Sequence, residues 1–236
     1  MSDEMGRGTA GPVTESERGS ALRTTDTSYG ELYWQTLDGG LGYADSVMWE
    51  DIAHTIKELF CIRPGRDASA DYCLIDVGCA MGYLVKHLRR RGVEAFGLDF
   101  SSYALEHADE MAKPHLTCFD LTHESLPEFP VKFNLLTCFE TLEHIPAEHA
   151  WRAVKHLWNL LEPNGFAILT VCVEGQPGWD TDPTHQNVVS RDYWDQLFRE
   201  RGFYSRSSKA QRLRQFWLFS QHRGVWVLQK QQPKLP

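Results

Sequence analysis

Between Cys73 and Phe100 an apolar run opens into Asp76-Val77-Gly78-Cys79-Ala80-Met81-Gly82, and a second apolar run closes on Asp99. Residues 72–77 read as a buried parallel strand. Gly78, Ala80 and Gly82 then permit a tight turn and close approach of a ligand to the backbone. A helix over 82–91 follows, and its N-terminus offers unpaired N–H groups to negative charge. Arg89-Arg90-Arg91-Gly92 stops that helix, and a strand over 93–98 delivers Asp99 to about where a ribose diol would lie. Two strands, a small-residue loop and a terminal carboxylate describe a nucleoside-cofactor cradle, so a ligand-binding α/β enzyme is the leading reading. A dinucleotide fold places glycine in the middle of such a loop so that pyrophosphate can approach. Ala80 stands there instead, which suits the loop better to an amino-acid-bearing nucleoside, although NAD stays open.

Further along, the chain carries Cys118-Phe119-Asp120-Leu121, then Phe139-Glu140-Thr141-Leu142-Glu143-His144-Ile145, then Leu160-Leu161-Glu162-Pro163-Asn164-Gly165-Phe166. From about Trp49 to Leu228 these stations, taken with the glycine loop and Asp99, resemble the class I S-adenosylmethionine-dependent methyltransferases, small-molecule and natural-product type. The resemblance implies a Rossmann-like α/β fold: a seven-stranded, mostly parallel sheet with an antiparallel closing strand and helices on both faces. It implies S-adenosyl-L-methionine as cofactor and S-adenosyl-L-homocysteine as product. Asp76, Gly78, Cys79, Ala80 and Gly82 would position the amino-acid part and Asp99 the ribose. Phe100, Asp120, Leu121 and Phe139 complete the cofactor site, with Phe100 and Asp120 toward the adenine.

The remaining order is readable at coarse grain. Helices are expected over 46–60, 103–111, 147–161 and 190–201, the last with Ser190 as N-cap. Strands are expected over 115–119, 133–138 and 166–173. The apolar segments 215–220 and 225–229 flank His222-Arg223-Gly224 and read as an antiparallel hairpin. Residues 1–28, rich in Gly, Ser, Thr, Glu and Arg without apolar periodicity, are expected to be a disordered lead. Residues 29–60 are expected to form a helical cap over the active site, and 61–236 the cofactor-binding core.

A chain of 236 residues is most simply one α/β domain. The formal net charge of -8 argues against a groove that must neutralise many phosphates, so no nucleic-acid partner is expected. Lys86 to Arg91 reads as a solvated helix end. The six cysteines form no CxxC pair and are expected to be free thiols, consistent with a reducing cytoplasm. No stretch approaches 18 apolar residues, and no membrane partner is expected. A monomer or a homodimer fits equally.

Methyl transfer to a hydroxyl needs a group that removes a proton, and histidine is basic yet mostly neutral at pH 7. His185, in the polar Asp182-Pro183-Thr184-His185-Gln186-Asn187 stretch, and His144, at the carboxyl end of a strand, are the candidate bases. Glu140, Glu143 and His144 could supply ligands to a divalent metal, as the resemblance to quinone-type O-methyltransferases implies, but no metal is assigned. Tyr33, Trp34, Tyr43, Trp179 and Glu143 are candidate substrate contacts. Methyl transfer to an oxygen, or a nitrogen, of a small molecule in natural-product biosynthesis is the leading function. An NAD-dependent oxidoreductase and a catalytically silent partner protein with a cofactor fold are the alternatives.

Overall fold

The computed structural model describes residues 29–40, 43–62, 72–129, 131–176, 182–215, 219 and 223–231. Seven strands form one sheet: β1 (Cys73–Val77), β2 (Glu94–Asp99), β3 (Leu116–Cys118), β4 (Phe133–Phe139), β5 (Leu161–Thr170), β6 (Phe203–Ser205) and β7 (Val225–Lys230). Their spatial order is β3-β2-β1-β4-β5-β7-β6, with β7 antiparallel to both neighbours and the other pairs parallel. The apolar runs become buried strands because both faces of the sheet are covered. Alternation divides them: Cys73, Ile75 and Val77 join Trp194, Leu157, Trp226 and Leu228 on one face. Leu74, Ile168, Val225 and Val227 join the other face with Ile56, Leu84 and Leu213.

The covering helices are α1 (Glu31–Gly40), α2 (Val47–Leu59), α3 (Tyr83–Arg90), α4 (Ser102–Glu106), α5 (Ala147–Leu160), α6 (Arg191–Glu200) and α7 (Ser207–Leu213). α2, α3 and α7 cover one face, and α5 and α6 the other. α1 stands over the β1–α3 loop, with Trp34 packed on Ala80, Met81 and Ala104. Ser190 caps α6 by accepting the Tyr193 N–H, as expected.

Several expectations are corrected. The helix expected over 103–111 ends at Glu106, because Asp109 accepts the Met111 N–H and pairs with Lys86, drawing the chain out of the helix. Lys86 is not solvated: its Nζ lies 2.8 Å from Asp45 and 2.6 Å from Asp109, so it ties the segment before α2 to α3. β5 begins at Leu161 rather than 166. Of the expected closing hairpin, the second arm is β7, which pairs antiparallel with β5 over residues 225–229 and with β6 over residues 228–230. Residues 216–218 and 220 of the expected first arm, and the lead expected over 1–28, lie outside the described residues.

Among the described residues the cysteines are free, and no helix is long and apolar enough to cross a membrane.

Candidate functional site

The strand order reverses between β1 and β4, and a cavity of about 380 Å³ opens there at the carboxyl ends of the parallel strands. That volume lies within the usual range of small-molecule sites, roughly 300–1,000 Å³. Its floor is the β1–α3 loop. Gly78 and Gly82 turn in the left-handed region at φ 77° and 74°, and Ala80 sits there too, at φ 49°. For alanine that backbone is unfavourable. The Ala80 N–H donates to Asp99 Oδ2 at 2.8 Å, which holds it in place.

Asp99 is the organising carboxylate. Its Oδ1 accepts the Ser101 N–H at 2.8 Å. Burial pushes its pKa up, against N–H groups from Ser101, Ala80 and Phe100 that favour the charged form. Each oxygen retains a lone pair for a further donor such as a ribose hydroxyl. Ser101 in turn caps α4 and donates from Oγ to the Tyr29 carbonyl at 3.1 Å, while the Trp34 indole donates to the same carbonyl at 2.9 Å. Tyr29 stands edge-on to Phe100, ring centroids 4.8 Å apart, and to His144 at 5.9 Å.

Of the residues expected to hold a cofactor, Gly78, Ala80, Asp99, Phe100, Asp120 and Leu121 line the cavity. Asp120 Oδ1 accepts the Thr122 N–H at 2.7 Å, which orients its carboxylate. Asp76, Cys79, Gly82 and Phe139 are not part of the lining. Asp76 is buried below the loop, where the Thr137 hydroxyl donates to it at 2.6 Å and burial lifts its pKa to about 7. Cys79 is buried, Gly82 is the helix N-cap, and Phe139 packs against Phe219.

Of the candidate substrate contacts, Tyr33 and Trp34 line the cavity. Tyr43 stands behind them, stacked on Tyr83 at 5.4 Å. Trp179 lies outside the described residues. Glu143 is fully buried beneath the site, accepting the Cys172 N–H at 2.9 Å. Burial, reinforced by Glu140, holds its carboxyl far above the ordinary range.

The two candidate bases come together: the His144 and His185 rings are 4.8 Å apart. His144 lines the cavity and His185 does not. The loop carrying His185 is pinned to the 3₁₀ turn Leu142–His144, because the Gln186 and Asn187 N–H groups both donate to the Glu143 carbonyl at 2.9 Å. Burial, with the charge of His185 second, pushes His144 down to about 4, so at neutral pH its imidazole is uncharged. Its Nδ1 lies 2.9 Å from Thr184 Oγ1, whose hydroxyl donates to Asp182 Oδ1 at 2.5 Å.

Glu143, His144 and His185 bring one ligand atom each within 4.8 Å of one another, a grouping in which His185 replaces Glu140 of the sequence expectation. In this arrangement Glu143 engages one oxygen, Oε1, with the Cys172 N–H and leaves Oε2 buried beside Glu140, while His144 meets Thr184 and His185 lies 4.0 Å from Asp182. Tyr29, Thr141 and Gln186 also line the cavity and were not singled out in the sequence. The run of aromatics from Tyr29 was the available signal for the first; nothing local marks the other two.

A family model described as a methyltransferase domain matches residues 48–208. A ubiquinone biosynthesis O-methyltransferase from Proteus mirabilis is 28% identical over 143 residues, 56% of this chain and 58% of that protein. One from Alkalilimnicola ehrlichii is 33% identical over 138 residues, 52% and 53%. The chain thus spans little more than half the length of these relatives. Among solved structures, a SAM-bound amino pentose methyltransferase from Micromonospora echinaspora superposes with a TM-score of 0.55 at 16% identity, covering 80% of this chain and 93% of that one. A SAM-dependent methyltransferase from Clostridium acetobutylicum gives 0.60 at 12% identity, covering 84% and 96%. At these identities the superpositions speak to fold.

Proposed function

We propose that this chain, which belongs to the methyltransferase domain family, methylates an oxygen of a small-molecule acceptor with S-adenosyl-L-methionine as donor and His144 as base. The observation that carries this reading is one cavity with Asp99 on one wall, aligned by the Ala80 and Ser101 N–H groups, and an uncharged His144 on another. When bound, the cofactor supplies an activated methyl group. Asp99 would accept the ribose hydroxyls, Asp120 the adenine amino group, and the Gly78–Gly82 backbone would flank the amino-acid end. Tyr29, Tyr33 and Trp34 exclude water and offer ring surface to the acceptor. His144 Nε2 takes the proton of the acceptor hydroxyl.

Oxygen is preferred to nitrogen because a base is present and because relatives are named as O-methyltransferases. Aromatic walls and a net charge of -8 favour a small molecule over nucleic acid. Free cysteines favour a cytoplasmic location, and a monomer or homodimer fits this reading, as does a role in natural-product biosynthesis.

Calorimetric titration with S-adenosylhomocysteine should give micromolar binding, and Asp99→Ala should weaken it by tens- to hundred-fold, about 2–3 kcal/mol for charge-assisted hydrogen bonds. Absence of binding, with NAD bound in a parallel titration, would replace this reading by the oxidoreductase. Binding without turnover on any acceptor would leave the silent-partner alternative.

With 3,4-dihydroxybenzoate as a test acceptor, His144→Gln should lower kcat by roughly 10²–10⁴-fold while leaving S-adenosylhomocysteine affinity within about twofold. The acid limb of kcat/KM should fall near pH 4, because His144 is pushed down to about 4 and is already deprotonated above it. A limb near 6.5 would assign the base elsewhere.

A further inference from the structure

We infer that Asp182 and Thr184 are positioning residues that lock His144 in the tautomer with its proton on Nδ1 and a bare lone pair on Nε2. The inference deepens the proposed function, since only that reading gives the Nε2 lone pair a task.

The assignment follows from counting protons. Thr184 has one hydroxyl proton, and its side chain meets three groups: Asp182 Oδ1 at 2.5 Å, His144 Nδ1 at 2.9 Å, and the Tyr33 hydroxyl, which carries a proton of its own to donate. The first contact has the length of a hydroxyl donating to a carboxylate. Without a proton between them, two oxygens carrying lone pairs would repel at that distance. The Thr184 N–H also donates to Asp182 Oδ1, at 2.8 Å, so this oxygen faces two donors of one residue and acts as an acceptor. The proton is therefore committed to Asp182. Thr184 Oγ1 can only accept from the imidazole, and Nδ1 must carry the hydrogen.

The His144 ring meets Thr184 at its hydroxyl, through Nδ1, and at its backbone, and the ring lines the cavity. A hydrogen bond serving only to tie the loop down would be satisfied by either tautomer; the short Thr184–Asp182 contact permits one. The loop cannot easily slide, since Gln186 Nε2 donates to the His144 carbonyl at 3.0 Å. When Nε2 accepts the acceptor's proton, positive charge develops on a ring already directed through Thr184 to the Asp182 carboxylate. Asp182 stays ionised throughout, and the proton remains on Nε2 until it exchanges with solvent.

The titratable groups that face His144 are His185, Asp182 and Glu143 with its neighbour Glu140, and the rings of Tyr29 and Tyr33. His185 opposes protonation of His144, whereas Asp182 favours it. A spectroscopic readout at His144 itself separates the tautomer from all of these.

Long-range ¹H–¹⁵N spectra of the full ¹⁵N-labelled chain at pH 7.5, with the His144 signals assigned by their loss in His144→Gln, report the tautomer directly. Wild type and Thr184→Ser should show protonated Nδ1 and bare Nε2. Thr184→Val, which removes the acceptor, and Asp182→Ala, which frees the Thr184 hydroxyl to donate to Nδ1, should each move the tautomer ratio at least tenfold toward Nε2–H. Protonated Nε2 in wild type, or a ratio unmoved in the folded variants, would overturn the inference. If Asp182→Ala does not fold, the Thr184→Val and Thr184→Ser pair decides. Titrating the same samples with S-adenosylhomocysteine keeps the two readings apart: failure to bind sinks the methyltransferase reading and leaves the tautomer result standing.

Discussion

Replacing Gly78 by alanine should destabilise the protein by about 2–5 kcal/mol, combining roughly 1–2 for a side chain forced into left-handed backbone and 1–3 for overpacking. A Cβ at this position would sit 2.1 Å from Thr141 Oγ1 and 2.8 Å from Thr141 Cγ2. Thr141 cannot swing aside without loss, because its hydroxyl donates to the Phe139 carbonyl at 2.9 Å. The first glycine of the loop is thus required by a residue that follows β4, not by the turn alone. Urea unfolding of Gly78→Ala, Thr141→Gly and the double variant checks this: the double variant should recover most of the clash and leave the backbone cost. A single-variant loss below about 1 kcal/mol would show that the loop tolerates the Cβ. Binding of S-adenosylhomocysteine should fall with the same substitution, since Gly78 and Thr141 both line the cavity.

Asp76→Asn should make the protein progressively more stable than wild type as pH rises from about 4 to about 7.5. Burial lifts the Asp76 pKa to about 7, so between the unfolded value near 4 and that point the native state holds a proton that the unfolded chain has released. Stability of the wild type therefore drops with rising pH across this window. Above it the full cost applies, at most about 4 kcal/mol for some three units at 1.36 kcal/mol each. Asparagine cannot ionise and keeps an oxygen to accept the Thr137 hydroxyl. His144, pushed down to about 4, acts with the opposite sign between about 4 and 6.5, but it is common to both proteins and largely cancels in the difference. Urea midpoints at pH 4.5, 6 and 8 measure it. A difference independent of pH would mean that Asp76 does not titrate in this range.

The cradle was legible because its chemistry is local. Glycines that must turn, apolar runs long enough for a buried strand and a carboxylate at a strand tip are each visible within a few residues, and β1, α3 and β2 fall within about a residue of expectation. What the sequence concealed depends on distant partners. Lys86 looks like one more base on an Arg-rich helix end until Asp45 and Asp109 close around it. β6, only Phe203–Ser205, has too few residues to show alternation and takes its form from the free edge of β7. Which wall of the pocket each aromatic joins was also unreadable. Trp34 reaches Ala80, whereas Tyr43, on the same segment, turns to Tyr83. The two histidines were identifiable as candidates, but which of them lines the cavity was not: His144 does, and the loop pinned through the Glu143 carbonyl packs His185 beside it.

The Tyr29 carbonyl, which receives both Ser101 Oγ and the Trp34 indole, makes the roof of the cavity depend on its floor. Ser101 is itself oriented by Asp99, so the carboxylate proposed to grip the ribose also sets the height of the aromatic ceiling. Two ligands that each touch this linked wall are expected to couple. By thermodynamic reciprocity, whatever factor the nucleoside contributes to acceptor affinity the acceptor must return to the nucleoside. Saturating one ligand should therefore shift the dissociation constant of the other, and the sign of that shift reports whether the ceiling is drawn down or lifted when Asp99 is engaged.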